Sequence, residues 1–328
     1  MKAPFLALLL LFSMGCAQGQ DSPRPIKLTP LPQTRVAIPP GQYSGISHVG
    51  GRQYVVVHDK ASGGGIFSFT IPLDSLGGIS TVLAAQLPAN ARGEKGLDNE
   101  DIVYVPERKS LFVVSETTQS IREYGLDGKP TGVQLEVPEM FDRKAIVPGK
   151  GFESLAYNAG TGLFWTTTEQ PLQADSLYRL QSFSAATLKA GEQYLYRAEA
   201  PTVTPEAAAS ARAYVLGIPA ITALDDGRLL VMEREVYVPQ GLSAILTESF
   251  SITSLFEVDP VRCKSPVLEK KKLLSFNTFS LNLADFEGMC LGPVLPDGRQ
   301  VLMLLADSQD GMGGLIGEYL KVVLLEYD

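Results

Sequence analysis

Three glutamates recur at one place in a repeated pattern. Glu100, Glu153 and Glu287 each stand two residues ahead of an apolar residue (Ile102, Leu155, Met289) that opens a strand-like run; Ser44 and Pro219 take the same place before Ile46 and Ile221. If the repeats surround an axis, three carboxylates converge on it. At an effective dielectric near 20 and about 5 Å, each pair repels by roughly 3 kcal/mol. Three uncompensated pairs then cost about 10 kcal/mol, comparable with a domain's whole stability. A hard cation offsets this most simply, because Ca2+ accepts several carboxylate, carbonyl and water oxygens. Asn99 could add an amide oxygen. The structural use of the same glutamates is to accept hydrogen bonds from N–H groups of neighbouring inner strands and tie the repeats together. With two histidines, His48 and His58, and no CxxC, a structural zinc site is not expected.

A second set, Asp59, Glu116, Glu169, Glu233 and Asp307, closes the second run of each repeat. Near one mouth of a channel, these acids would flank Arg234, whose planar fork can hold an anionic group bidentately. Arg234, Glu169 and His58 are therefore the candidate catalytic residues. Solvated turn duty is the other reading of the acids, and the favoured one for Asp59 and Asp307; a satisfied structural ring is the other reading of His58. Nucleophilic catalysis lacks support. There is no GxSxG elbow, and Ser115 and Ser154 have no partnered histidine in the pattern. Gly63-Gly64-Gly65 lacks the Lys-Ser/Thr of a phosphate cradle, and Trp165 sits mid-strand, where packing explains it as well as ligand binding does.

The elements that must position these residues are short strands. Tyr54 to Val57, Ile66 to Ile71, Leu111 to Val114, Leu163 to Thr167, Leu229 to Met232, Val301 to Leu305 and Val322 to Leu325 are β-branched or aromatic and are separated by Gly, Pro, Asp or Asn. The one helix expected is Glu206 to Ala213, after Pro205. Five units share an apolar residue, a turn and a strand ending in an acid, with spacings of 13, 14, 14, 12 and 18 residues from Ile46, Ile102, Leu155, Ile221 and Met289 to the closing acid. Further runs, such as Leu177 to Phe183 and Ile252 to Val258, bring each unit to about four strands. The chain is thus expected to be all-β, a β-propeller of five blades, with Ile26 to Ile38 supplying a strand that closes the ring. A sixth blade could lie within 170–218 or 235–285.

The segments Gly151-Phe152-Glu153-Ser154-Leu155-Ala156, Glu169-Gln170-Pro171-Leu172, Asp226-Gly227-Arg228-Leu229-Leu230-Val231-Met232-Glu233-Arg234 and Asp285-Phe286-Glu287-Gly288-Met289 with Leu291-Gly292-Pro293 resemble the esterase-like phytase family, an exported bacterial propeller family. The resemblance runs in order from about residue 40 to the end. It implies phosphoester hydrolysis with a small anionic ester or phosphoester as substrate. Calcium held by such carboxylates is also what propeller hydrolases of other families imply. Ser154 stands where the family usually has Gly, and Pro219-Ala220 replaces an acid-containing pair. The alternative to a hydrolase is a non-catalytic propeller that binds a glycan, a peptide or a partner protein at the cell envelope.

The ends and the composition set the rest. Lys2, the apolar run Phe5 to Phe12 and Gly15-Cys16 follow the order of an export signal. Ser13-Met14-Gly15-Cys16 resembles a lipobox, which makes Cys16 the expected lipidation site; an ordinary signal peptide is the alternative. Residues 1–15 are read as the signal, 16–25 as lipidated cysteine and tether, and 26–328 as the propeller. The protein is expected to be exported, periplasmic or cell-surface, a monomer, and membrane-attached only through lipid. A net charge of −8 with no basic cluster speaks against nucleic acid. Cys263 and Cys290 are expected to be separate thiols, with pairing as the alternative.

Overall fold

The computed structural model of the chain describes residues 23–38, 41–59, 65–87, 97–308 and 317–328. The signal, Cys16, most of the tether, and Gly63 and Gly64 lie outside the described residues. The described chain is a five-bladed propeller of antiparallel strands. The N-terminal strands β1 (Ile26–Pro30) and β2 (Thr34–Arg35) come first. Blade one is β3 (Tyr43–Gly50), β4 (Gln53–His58), β5 (Ile66–Thr70) and β6 (Leu83–Gln86). Blade two is β7 (Asn99–Val105), β8 (Ser110–Ser115), β9 (Ser120–Gly125) and β10 (Pro130–Gln134). Blade three is β11 (Phe152–Asn158), β12 (Leu163–Thr168), β13 (Tyr178–Ser184) and β14 (Ala190–Tyr196). Blade four is β15 (Ala213–Ala223), β16 (Leu229–Val238), β17 (Phe250–Val258) and β18 (Lys270–Phe279); blade five is β19 (Asp285–Val294), β20 (Gln300–Asp307) and β21 (Tyr319–Tyr327). β1 completes blade five by pairing with β21 from Ile26↔Tyr327 to Pro30↔Val323, and β2 pairs with the start of β21. The two ends of the chain thus close the ring, and the edge of β21 is covered rather than open.

The stretches that could have held a sixth blade are spent otherwise. Residues 170–218 carry β13, β14 and the first part of β15, and 235–285 carry the long strands of blade four. The helix is shorter than expected: α1 is Pro205–Ser210, started by Thr204, whose hydroxyl accepts from the Ala207 N–H, and Ala213 already belongs to β15. A second short helix, α2 (Leu242–Glu248), links β16 to β17. Among the described residues, no helix is long and apolar enough to cross a membrane.

Alternation along each strand buries one apolar row on each side of the blade, so the core lies between blades. Phe112, Phe152, Phe164 and Phe183 fill the seam of blades two and three; Trp165 is buried in the seam of three and four near Tyr194. Cys290 is buried and Cys263 half-buried, and both are free thiols. The innermost strands β3, β7, β11, β15 and β19 touch in sequence around the axis. They approach closely at Gly45 and Gly288, where a Cβ would lie 2.4 Å from Asp101 Cα and 2.5 Å from the Ser44 carbonyl oxygen. A Cβ on Gly45 would collide with Asp101, whose carboxylate accepts from the N–H groups of Ile102 (2.8 Å) and Leu155 (2.7 Å) and so ties blade two to blade three.

Candidate functional site

Each innermost strand breaks register near its start. The irregularity falls between Tyr43 and Ile46, Asn99 and Asp101, Phe152 and Ser154, Gly217 and Ala220, and Phe286 and Gly288. An extra residue in one strand bends it and re-aims a side chain. Glu100, Glu153 and Glu287 are those extra residues, and all three turn into a cavity of about 160 Å³ at one end of the channel.

The same cavity collects the ends of the second strands. Ile46, Ile102, Leu155, Ile221 and Met289 pair with Val56, Val113, Thr166, Val231 and Leu304. Three residues beyond those partners stand Asp59, Glu116, Glu169, Arg234 and Asp307, and all five line the cavity. The fifth member of the ring is therefore Arg234, not Glu233. Counted to Arg234, the blade-four spacing becomes 13 residues, in line with its neighbours. Glu233 faces the other side of β16, where it accepts from the Tyr196 hydroxyl, from Lys270 Nζ (2.7 Å) and from the Glu199 N–H (2.8 Å).

Arg234 governs half of the mouth. Its side chain is 4% exposed; Nη1 donates to Asp285 (2.9 Å) and Glu287, and Nη2 donates to Glu169 (2.9 Å) and lies 3.6 Å from Glu153. Lys150 Nζ holds the second oxygen of Glu169 at 2.6 Å. Burial raises the carboxyls of Glu153 and Asp285 above their ordinary range, and that of Glu287 to about 7, with Arg234 pulling each back.

The other half has no such clamp. Asp98, Glu100 and Glu116 present oxygens within 4.8 Å of one another, and no lysine or arginine among the described residues pairs with any of them. Asp98 Oδ1 is buried without a hydrogen-bond partner among the described residues. Burial, then Asp98, Glu287, Asp59 and Glu116, push the Glu100 carboxyl well above its usual range. Glu116 is raised by burial, although its Oε1 accepts from the Gly151 N–H at 3.2 Å. Clustered, under-partnered carboxylate oxygens are the donor set of a hard cation.

The remaining expected residues lie outside the cavity. Asn99 is buried but does not line it. His58 Nε2 accepts from the Gln42 N–H at 3.1 Å, its ring packs edge-on against Tyr43, and Nδ1 lies 3.7 Å from Asp59; the ring supports the acid rather than facing the mouth. Ser115 and Ser154 are buried and also off the cavity. Sequence reasoning missed Asp98, Asp285 and Lys150. The first two had a signal, since each stands two residues before one of the recurring glutamates. Lys150 sits in a loop with no period to flag it.

Comparison with solved structures finds distant likenesses. The PQQ-bound aldose sugar dehydrogenase from Streptomyces coelicolor is 10% identical with TM-score 0.42, over 93% of this chain and 100% of that one. A chain of a nidogen/laminin complex is 9% identical with TM-score 0.42, over 92% and 98%. No curated protein shows significant sequence similarity to the chain. Residues 38–309 match the model of the phytase-like family, described as esterase-like activity of phytase, and the chain belongs to that family.

Proposed function

We propose that the acidic mouth hydrolyses phosphoesters or related esters, with calcium held by Asp98, Glu100 and Glu116. The observation that supports this reading is the division of the mouth: Arg234 pairs with the acids of blades three and five, while the blade-two acids lie close together with no ion pair to a lysine or arginine among the described residues. Of the glutamates first expected to hold the ion, Glu100 keeps that role, and Glu153 and Glu287 serve Arg234 instead. The chemistry the ion supplies when bound is polarisation of the ester and activation of water. The chain does the rest. Glu116 is steered by the Gly151 N–H, Glu169 is fixed between Arg234 and Lys150, and Arg234 acts by positioning four carboxylates rather than by clamping substrate. Asp59 and Asp307 complete the negative wall that draws a cation in.

The test is turnover of p-nitrophenyl phosphate, bis-p-nitrophenyl phosphate and phytate by metal-stripped protein, with and without added calcium. Turnover that requires calcium is expected. Equal turnover in chelator removes the metal from the reading, and calcium binding without any turnover leaves a binding propeller. We further propose that Cys16 carries the lipid that holds the protein at the cell envelope, attached to the propeller by the 16–25 tether. Cys16→Ser should release the protein into a soluble exported fraction; unchanged membrane association removes the anchor.

A further inference from the structure

The channel has a second end. Glu100, Glu153 and Glu287 line the acidic mouth, and two places further along the inner strands Leu155 and Met289, with Ile46 and Ile221, floor a separate cavity of about 300 Å³ on the opposite face. Two places further still stand His48, Tyr104, Tyr157, Ala223 and Leu291, one per blade and all on its wall. Three consecutive blades thus each contribute a ring. No lysine or arginine among the described residues lines this cavity, so nothing in it balances an anion.

The polar groups of this wall turn their donors to the chain and keep their acceptors. Tyr157 packs on Phe164 (ring centroids 4.9 Å) and donates its hydroxyl to Glu107 at 3.0 Å, leaving the oxygen to accept. His48 packs on Tyr54 (4.8 Å), and its Nε2 lies 3.1 Å from the Gly51 carbonyl. A carbonyl only accepts, so that nitrogen carries the ring proton. Burial holds the His48 ring below its ordinary range, so it stays neutral and Nδ1 remains an acceptor. Gln300 directs its amide N–H to the Gly292 carbonyl at 3.4 Å, which leaves Oε1. Asp225 adds a carboxylate with no ion pair among the described residues, Arg228 being held by Asp226 and Glu257. The Tyr104 hydroxyl makes no hydrogen bond among the described residues. Asp225 is exposed and the other four are half-buried, so a molecule in the cavity reaches them.

An apolar floor, rings fixed in place and a rim of acceptors without a cation match a ligand that carries several hydroxyls, an apolar C–H face and no negative charge. We propose that this cavity binds a neutral saccharide ring, at the end of the channel away from the acidic mouth. The inference stands apart from the hydrolase reading, because the two cavities share no lining residue. It is tested by saturation-transfer NMR on the full chain with methyl α-glucopyranoside and with choline as probes. The glucoside should bind saturably with a Kd in the millimolar range, alike in calcium and in chelator. Tyr104→Phe keeps the ring and removes the hydroxyl; His48→Phe keeps the packing on Tyr54 and removes the acceptor. Each should weaken the glucoside several-fold, about what one hydrogen bond contributes. Asp225→Asn retains an acceptor oxygen and should change the glucoside affinity by no more than about twofold. Choline should bind more weakly than the glucoside. No saturable glucoside binding up to about 50 mM, or unchanged binding in both ring variants, overturns the proposal. Choline bound in preference and lost in Asp225→Asn also overturns it, since the cavity would then be a cage for cations.

Discussion

The two halves of the acidic mouth are built from the same repeat positions and end in opposite electrostatic states. On the side of blades three, four and five, one change of sign, Arg234 at a place where four blades carry an acid, draws Glu153, Glu169, Asp285 and Glu287 onto a single buried guanidinium. On the side of blade two, Asp98, Glu100 and Glu116 keep the acidic identity and form no ion pair with a lysine or arginine among the described residues. A fivefold ring of acids would be unstable everywhere. One arginine makes part of it a structural clamp and leaves the rest dependent on something from solution. The clamp should therefore respond to mutation and the open side to ions.

The largest effect tests the clamp. Arg234→Met keeps much of the volume and removes the charge, so four buried carboxylates lose their partner. Breaking a buried ion pair from one side typically costs about 3–5 kcal/mol. Urea unfolding at pH 7 should show a loss of that order, shrinking toward pH 4.5 as the acids bind protons. A loss below about 1 kcal/mol would mean that the clamp is not what holds this half.

Next comes pH. Burial raises Glu287 to about 7 and holds Glu100 and Glu153 well above their ordinary range. Between about 4.5 and 7 the native protein therefore holds protons that the unfolded chain has released. Stability without calcium should fall as pH rises through that window, Glu287 alone contributing roughly 3 kcal/mol. Melting curves in chelator from pH 4.5 to 7.5 check the sign. A curve that rises over the same range would contradict the burial argument.

Calcium divides the halves directly. An ion that binds only the native state stabilises by about 2.7 kcal/mol at a hundredfold excess over Kd. Calcium should raise the melting temperature of the unaltered chain. Glu100→Gln should remove most of that rise, yet stabilise the protein in chelator by relieving repulsion. Glu153→Gln, on the clamped side, should leave most of the calcium response in place. Equal loss in both variants would mean that the ion sits across the whole ring.

How much of this was legible in the sequence depends on the kind of signal. The blades were legible because an apolar residue, a turn and a closing acid recur at nearly constant spacing, and the Ile26 strand was legible as the piece that blade five lacked. The bulges were not. Each adds one residue to an inner strand without any change in spacing that shows it, and in blade four that hid the fact that Arg234, one place beyond Glu233, faces the axis. A sixth blade stayed open in the sequence because long strands such as Phe250–Val258 and Lys270–Phe279 look like spare length until their pairing is known. Convergence of Glu100, Glu153 and Glu287 followed from the repeat; their division between arginine and open cavity required side-chain positions, which no spacing encodes.

The smallest effect lies at the seam between the halves. Lys150 holds Glu169 at 2.6 Å, is 27% exposed, and stands at the same cavity wall as Glu116. Its ion pair reaches solvent, so Lys150→Met should cost about 1 kcal/mol or less of stability. The same change removes a positive charge from beside the open carboxylates. A cation bound there then meets less repulsion, and calcium affinity should rise a few-fold, as expected for charges several ångströms apart at an effective dielectric near 20. Stability and affinity move in opposite directions: the melting temperature in chelator falls slightly while calcium binds more tightly. Raising the salt to about 1 M, where the screening length is roughly 3 Å, should flatten the affinity gain more than the stability loss. If calcium bound more weakly in Lys150→Met, the lysine would belong to the ion site itself, and the boundary between the two halves would have to be redrawn to include it.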